Sequence, residues 1–197
     1  MDTMAEALRQ NEQKEMQSSS VQIENLRSSA KDSFEKNDFA NAKYLLSEII
    51  RMNPKDSEAL FNRGITNENL MKTGEAISDY TESIKADPNF HKSHVNRGIL
   101  FASLGKYREA TQDFNEALRI NPNSPEVYMN LGTAYGEMGK YQEAITMFSA
   151  SINLDPENAD AYMNRALARD RMNDKKGAEE DIGRYEFLKS KQDRIEI

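Results

Sequence analysis

Prolines stand at positions 54, 88, 122 and 156, three successive gaps of 34 residues. A fixed period of that length marks an array of small modules, each too small to bury a core alone, and it excludes most single-core folds. The stretch Asn96 to Pro122, NRGILFASLGKYREATQDFNEALRINP, shows the module most clearly. It holds small residues at Gly98 and Ala110, a turn at Gly105, aromatics at Tyr107 and Phe114, and the closing proline.

Each module reads as two helices. Ile23, Leu26, Ala30 and Phe34 recur at helical spacing and form one apolar stripe, which Asn37 and Asp38 interrupt. Phe39, Ala42, Leu46 and Ile49 form a second stripe that stops before Pro54. The repeats run 23–56, 57–90, 91–124, 125–158 and 159–192, inside a domain of residues 21–192. Residues 1–20 are polar and Gln/Glu-rich and read as a flexible or helical leader, in which Met1, Met4 and Leu8 give at most a weak apolar edge. Residues 193–197 read as a tail.

Equivalent places, counted from the start of each repeat, constrain the packing. The eighth holds Ala30, Gly64, Gly98, Gly132 and Ala166, small enough for the two helices to approach closely. Alanine returns at the twentieth in all five repeats: Ala42, Ala76, Ala110, Ala144 and Ala178. The twenty-fourth holds a bulky plug: Leu46, Tyr80, Phe114, Phe148 or Ile182. At the fifteenth, Asn37, Gly105, Gly139 and Asn173 suit a left-handed helix end, while repeat two has Met71 and places Gly74 three residues later. Ser124, Pro125 and Glu126 predict an N-cap, a first-turn proline and a favourable carboxylate.

This arrangement of small, aromatic, Ala, Phe and Pro positions over residues 23 to about 190 resembles the tetratricopeptide repeat family. The match is tightest in repeats two to four, and Ser190 stands where the fifth repeat's proline would fall. The resemblance implies an all-α fold, a right-handed α-solenoid of five stacked helix–turn–helix repeats whose first helices line a concave face.

Arginine fills the seventh place in repeats two, three and five (Arg63, Arg97, Arg165), and those same repeats have aspartate at the twenty-third (Asp79, Asp113, Asp181). Repeat four has Leu131 with Met147, and repeat one Ser29 with Leu45. Charges that come and go together sixteen residues apart predict an Arg–Asp ion pair across each of three helix pairs.

Several functions are disfavoured. A net charge of −7 argues against nucleic acid, and the absence of cysteine removes disulfides, thiolate nucleophiles and Cys-based zinc sites. No apolar run approaches the roughly 18 residues needed to cross a bilayer, and no signal-peptide core opens the chain, so a cytoplasmic location is expected, or a periplasmic one after signal removal. His91 and His94 lie three apart on a helix, but His94 occupies a place that elsewhere holds Leu26, Leu60, Tyr128 or Tyr162, which reads as packing rather than a metal site. No phosphate loop, nucleophile elbow or His–carboxylate constellation is present, so no enzyme, metal or cofactor is expected.

The sixth place reads Asn62, Asn96, Asn130 and Asn164. Asparagine is a poor helix former, so its return needs a reason. Its amide both donates and accepts, matching the backbone of an extended peptide. Family members with such an asparagine ladder bind peptide backbones, which implies the same here; the other reading is that these amides contact the neighbouring repeat's first helix. The resemblance also sets Phe61, Val95, Met129 and Met163 at the fifth place, and Ile65, Ile99, Thr133 and Leu167 at the ninth, on the concave side as an apolar strip. Lys92 occupies a place used by carboxylate-clamp relatives, but Asn96 stands where the clamp needs arginine. Acidic edges (Glu58, Glu68, Glu126, Glu137, Asp160, Asp170) favour an extended neutral-to-basic segment of a protein or peptide. The expected function is a non-catalytic interaction adaptor. The alternative is a structural or assembly subunit, or a co-chaperone, that uses convex or terminal surfaces.

Overall fold

The structure, a computed structural model, describes residues 2–193, with the side chains of Glu6 and of residues 17–191. Met1, the side chains of Met4 and Leu8 that would complete the expected apolar edge, and residues 194–197 of the expected tail lie outside what is described. Among the described residues there are ten helices and no strand. They are α1 (Asp2–Glu35), α2 (Phe39–Met52), α3 (Ser57–Asn69), α4 (Thr73–Ala86), α5 (His91–Ser103), α6 (Tyr107–Ile120), α7 (Pro125–Glu137), α8 (Tyr141–Leu154), α9 (Ala159–Arg171) and α10 (Lys175–Asp193). From α3 to α9 the starts of the odd-numbered helices advance by 34 residues each time.

All five first helices end in the same way. Asn37, Met71, Gly105, Gly139 and Asn173 have φ between 58° and 74°. This left-handed residue turns its own N–H and the next one back onto the helix: Met71 donates to the Glu68 carbonyl and Lys72 to the Asn67 carbonyl. Helix starts are less uniform. Asp38, Asp56 and Asn158 cap α2, α3 and α9 with their side chains, whereas Ser124 makes no such bond and α7 starts on Pro125 and Glu126.

The chain forms two compact units, one up to Ser93 and one from His94. In the first, Ala30, Leu46, Ile49 and Ala59 form a core that Ile23, Leu26 and Ile50 extend. The second is built on Ala110, Phe114, Ala117, Val127, Leu131 and Ala134, with Ala144, Phe148 and Ala168 forming a further cluster.

Within a repeat the glycine of the first helix and the plug of the second fit together. A methyl group on Gly64, Gly98 or Gly132 would lie 2.5, 2.7 or 2.6 Å from the ring of Tyr80, Phe114 or Phe148. Repeat one has alanine at that place with a buried aliphatic plug, Ala30 with Leu46, whereas in repeat five Ala166 is buried but Ile182, expected as the plug, is 38% exposed and fills no core. In repeats one to four the two places therefore share one volume, as close-packed interiors require.

Candidate functional site

The arginines are bound up inside the repeats. Arg63 grips Asp79 through Nε (3.0 Å) and Nη2 (2.6 Å), Arg97 grips Asp113 at 2.8 and 2.7 Å, and Arg165 grips Asp181 at 2.9 and 2.7 Å. A third donor completes each aspartate: Asn67 Nδ2 on Asp79 (2.8 Å), His94 Nδ1 on Asp113 (3.3 Å) and Arg169 Nη1 on Asp181 (2.9 Å). Arg63 and Arg165 also donate to Ser47 and Ser149 of the preceding repeat. Burial by itself would raise the Asp113 carboxyl, but the hydrogen bonds from Arg97 and His94 outweigh it and hold it below the usual aspartate range. The hydrogen bond to Asp181 conversely raises Arg165. These charges find their partners within the fold.

The fifth place is enclosed at Phe61 and partly buried in repeats three to five. Phe61 is 8% exposed, its ring 5.7 Å from that of Tyr80 and 5.3 Å from that of Phe90. Val95 packs on the core cluster of Phe114 and Leu131, and Met129 on the cluster of Phe148. Met163 is half-buried. The ninth place is the open one: Ile65 is half-buried, while Ile99, Thr133 and Leu167 are exposed. Both places lie on one helical stripe, so sequence spacing alone does not separate them. Lys92 is exposed, and His94 is buried against Asp113.

The four asparagines are half-buried. The amides of Asn62, Asn130 and Asn164 meet no hydrogen-bond partner among the described residues, so both donors and acceptor remain open. Two of them line concavities. In the first unit a 590 Å³ cavity opens between α1, α2 and α3, with Arg27, Ala30, Phe34, Leu46, Asn62 and Ile65 in its wall. In the second unit a 350 Å³ recess between α7, α8 and α9 brings Thr133, Gly136, Tyr141, Asn164, Leu167 and Arg171 together. Leu46 and Tyr141 stand on second helices and escape a search confined to the first helices. Repeat one did carry a signal, since it lacks the arginine pair and has serines at Ser28 and Ser29.

Among the described residues no group of three or more His, Asp or Glu side chains is placed to hold a metal ion. No helix among them is long and apolar enough to cross a membrane.

Helix pairs at a 34-residue period, closed by small-residue and aromatic contacts, define a helical-repeat scaffold. Models of the tetratricopeptide repeat match residues 57–90 and 125–158, and a further model described as TPR repeat matches 98–139. The chain belongs to the tetratricopeptide repeat family. No curated protein matches it. Solved structures similar to it include a MamA RS-1 double mutant, 22% identical with a TM-score of 0.83 over 88% of this chain and 97% of that one. MamA from Desulfovibrio magneticus RS-1, residue 41 to its end, is 22% identical with a TM-score of 0.81 over 87% and 97%. YrrB, described as a TPR protein with an unusual peptide-binding site, is 18% identical with a TM-score of 0.73 over 81% and 82%. At these identities the likeness is one of fold.

Proposed function

We propose that the protein is a non-catalytic adaptor that holds extended, neutral-to-basic peptide segments of a protein partner against the first helices of its repeats. The observation carrying this reading is the set of open amides at Asn62, Asn130 and Asn164, half-buried and set at equivalent places of three repeats. Asparagine within a helix costs roughly 0.5 kcal/mol relative to alanine, with no internal bond here in return. A peptide backbone supplies the donor and acceptor that each amide lacks. The peptide-binding site in the description of YrrB accords with this use of the fold.

Each neutral hydrogen bond contributes about 1 kcal/mol, so three amides alone give affinity near the millimolar range. Apolar contact at Ile65, Ile99 and Leu167 supplies the remainder, and micromolar affinity follows.

The test is capture of partners from a lysate by the wild type and by an Asn130→Ala/Asn164→Ala variant, with equal thermal melting as the control for folding. Loss of two amides is expected to weaken a captured partner by about 2 kcal/mol, roughly thirtyfold. Undiminished capture would overturn the amide reading and move the contact to convex or terminal surfaces.

A further inference from the structure

We infer that the cavity between α1, α2 and α3 is an anchor pocket for one uncharged aromatic side chain of the bound peptide, a proposal that rests on the adaptor reading. Its volume of 590 Å³ falls in the range of pockets that enclose a ligand group, about 300–1,000 Å³. Its inner wall is apolar: Ala30, Phe34, Leu46 and Ile65.

The charges at its mouth already have partners. Arg27 is hydrogen-bonded to Asp56 and to Glu58, and lies 3.8 Å from Glu24. Lys31, with 76% of its side chain exposed, sits 3.8 Å from Glu35 in the same helix. A charged anchor would have to break these pairs and then enter an apolar wall without compensation. An uncharged one leaves them intact.

Two features select an aromatic group. Phe34 meets Phe39 edge-on at 5.2 Å and 71° and also lines the cavity, so an aromatic anchor there would join an existing aromatic pair. Beside it stands the open amide of Asn62, placed to take the peptide group that carries the anchor. Backbone and side chain of one ligand residue are thus met together, which an apolar cavity alone would not achieve.

The chain contains no tryptophan, so an indole supplied from outside reports its own burial. The probes are acetyl-Ser-Ala-Trp-Ala-Ser-amide and, as non-fluorescent competitors against it on the full chain, the same peptide with Glu or Ala at the centre. Saturable blue-shifted indole emission is expected, with the Glu and Ala peptides competing at least tenfold less well. Ser28→Phe fills the cavity from an exposed position at its mouth and is expected to weaken the tryptophan peptide at least tenfold. Ile65→Ala, which removes part of the wall, serves the same purpose should the filled variant fail to fold. An unshifted indole, equal competition by the Glu peptide, or unchanged affinity in the folded variants would overturn the pocket. If the cavity variants leave the tryptophan peptide's affinity unchanged while Asn130→Ala/Asn164→Ala still weakens partner capture, the anchor falls and the adaptor reading stands. If none of the variants matters, both fall.

Discussion

At the residue scale, each Arg–Asp pair is a question of where a buried charge finds compensation. Asp113 is 4% exposed and takes bonds from Arg97 and His94, so removing the arginine strands a carboxylate in the interior. Repeat four supplies the apolar substitute, Leu131 with Met147 at the same two places. Arg97→Leu alone is expected to cost about 3 kcal/mol, and Arg97→Leu with Asp113→Met less than the sum of the single changes. Urea unfolding of the four proteins measures the coupling. The pair also sets a pH response. Because the folded Asp113 carboxyl lies below its ordinary value, its stabilisation is complete above about pH 4 and is lost as pH falls through the folded value. The doubly substituted protein should lose less stability than the wild type between about pH 4 and pH 2. These pairs were legible in the sequence because arginine and aspartate appear and vanish together at one spacing. Their third donors were not, since Asn67 and Arg169 come from the eleventh place and His94 from the fourth. Met71 raises a separate question, holding φ 58° with its side chain 89% exposed. A left-handed backbone costs a non-glycine residue about 1–2 kcal/mol, and no packing offsets it here. Met71→Asn should stabilise the protein by about 0.5–1 kcal/mol, read as a rise in melting temperature of a few degrees.

At the scale of the element, helix pairing is set by the shared volume of the eighth and twenty-fourth places. Phe114 is fully enclosed, so a methyl group on Gly98 finds its ring unable to retreat. Gly98→Ala gains up to about 1 kcal/mol in helix propensity and loses about 1–3 to overpacking, a net loss. Phe114→Leu alone opens a cavity and is expected to cost about 1–2 kcal/mol. Together they recreate the Ala30–Leu46 combination of repeat one, and the double variant should be more stable than the sum of its parts predicts. Thermal or urea unfolding of the three variants tests this. The helix boundaries were legible because the turn residues and the period agree, and even Met71 takes the left-handed role that its position implies. The division of the first helix between core and open face was less so. The fifth and ninth places are one helical turn apart, and only the tertiary partners of Phe61, Tyr80 and Phe90, show which of them is enclosed.

At the scale of the molecule, a net charge of −7 acts on every approaching partner before any contact forms. Long-range attraction raises the rate of encounter with a basic segment and is screened by salt, with a Debye length near 10 Å at 0.1 M and near 3 Å at 1 M. Contacts in the concavities are of another kind. The amides are neutral, three of the four ninth-place side chains are apolar and Thr133 is uncharged, and the buried carboxylates already carry their own donors. Encounter and retention should therefore respond differently to ionic strength. For a captured partner segment bearing lysine or arginine, raising salt from about 0.05 to 0.5 M is expected to slow association several-fold and to leave dissociation nearly unchanged. Stopped-flow fluorescence separates the two rates. If dissociation accelerated with salt as steeply as association slowed, bound-state ion pairs would be holding the ligand, and the neutral amides would not be what retains it.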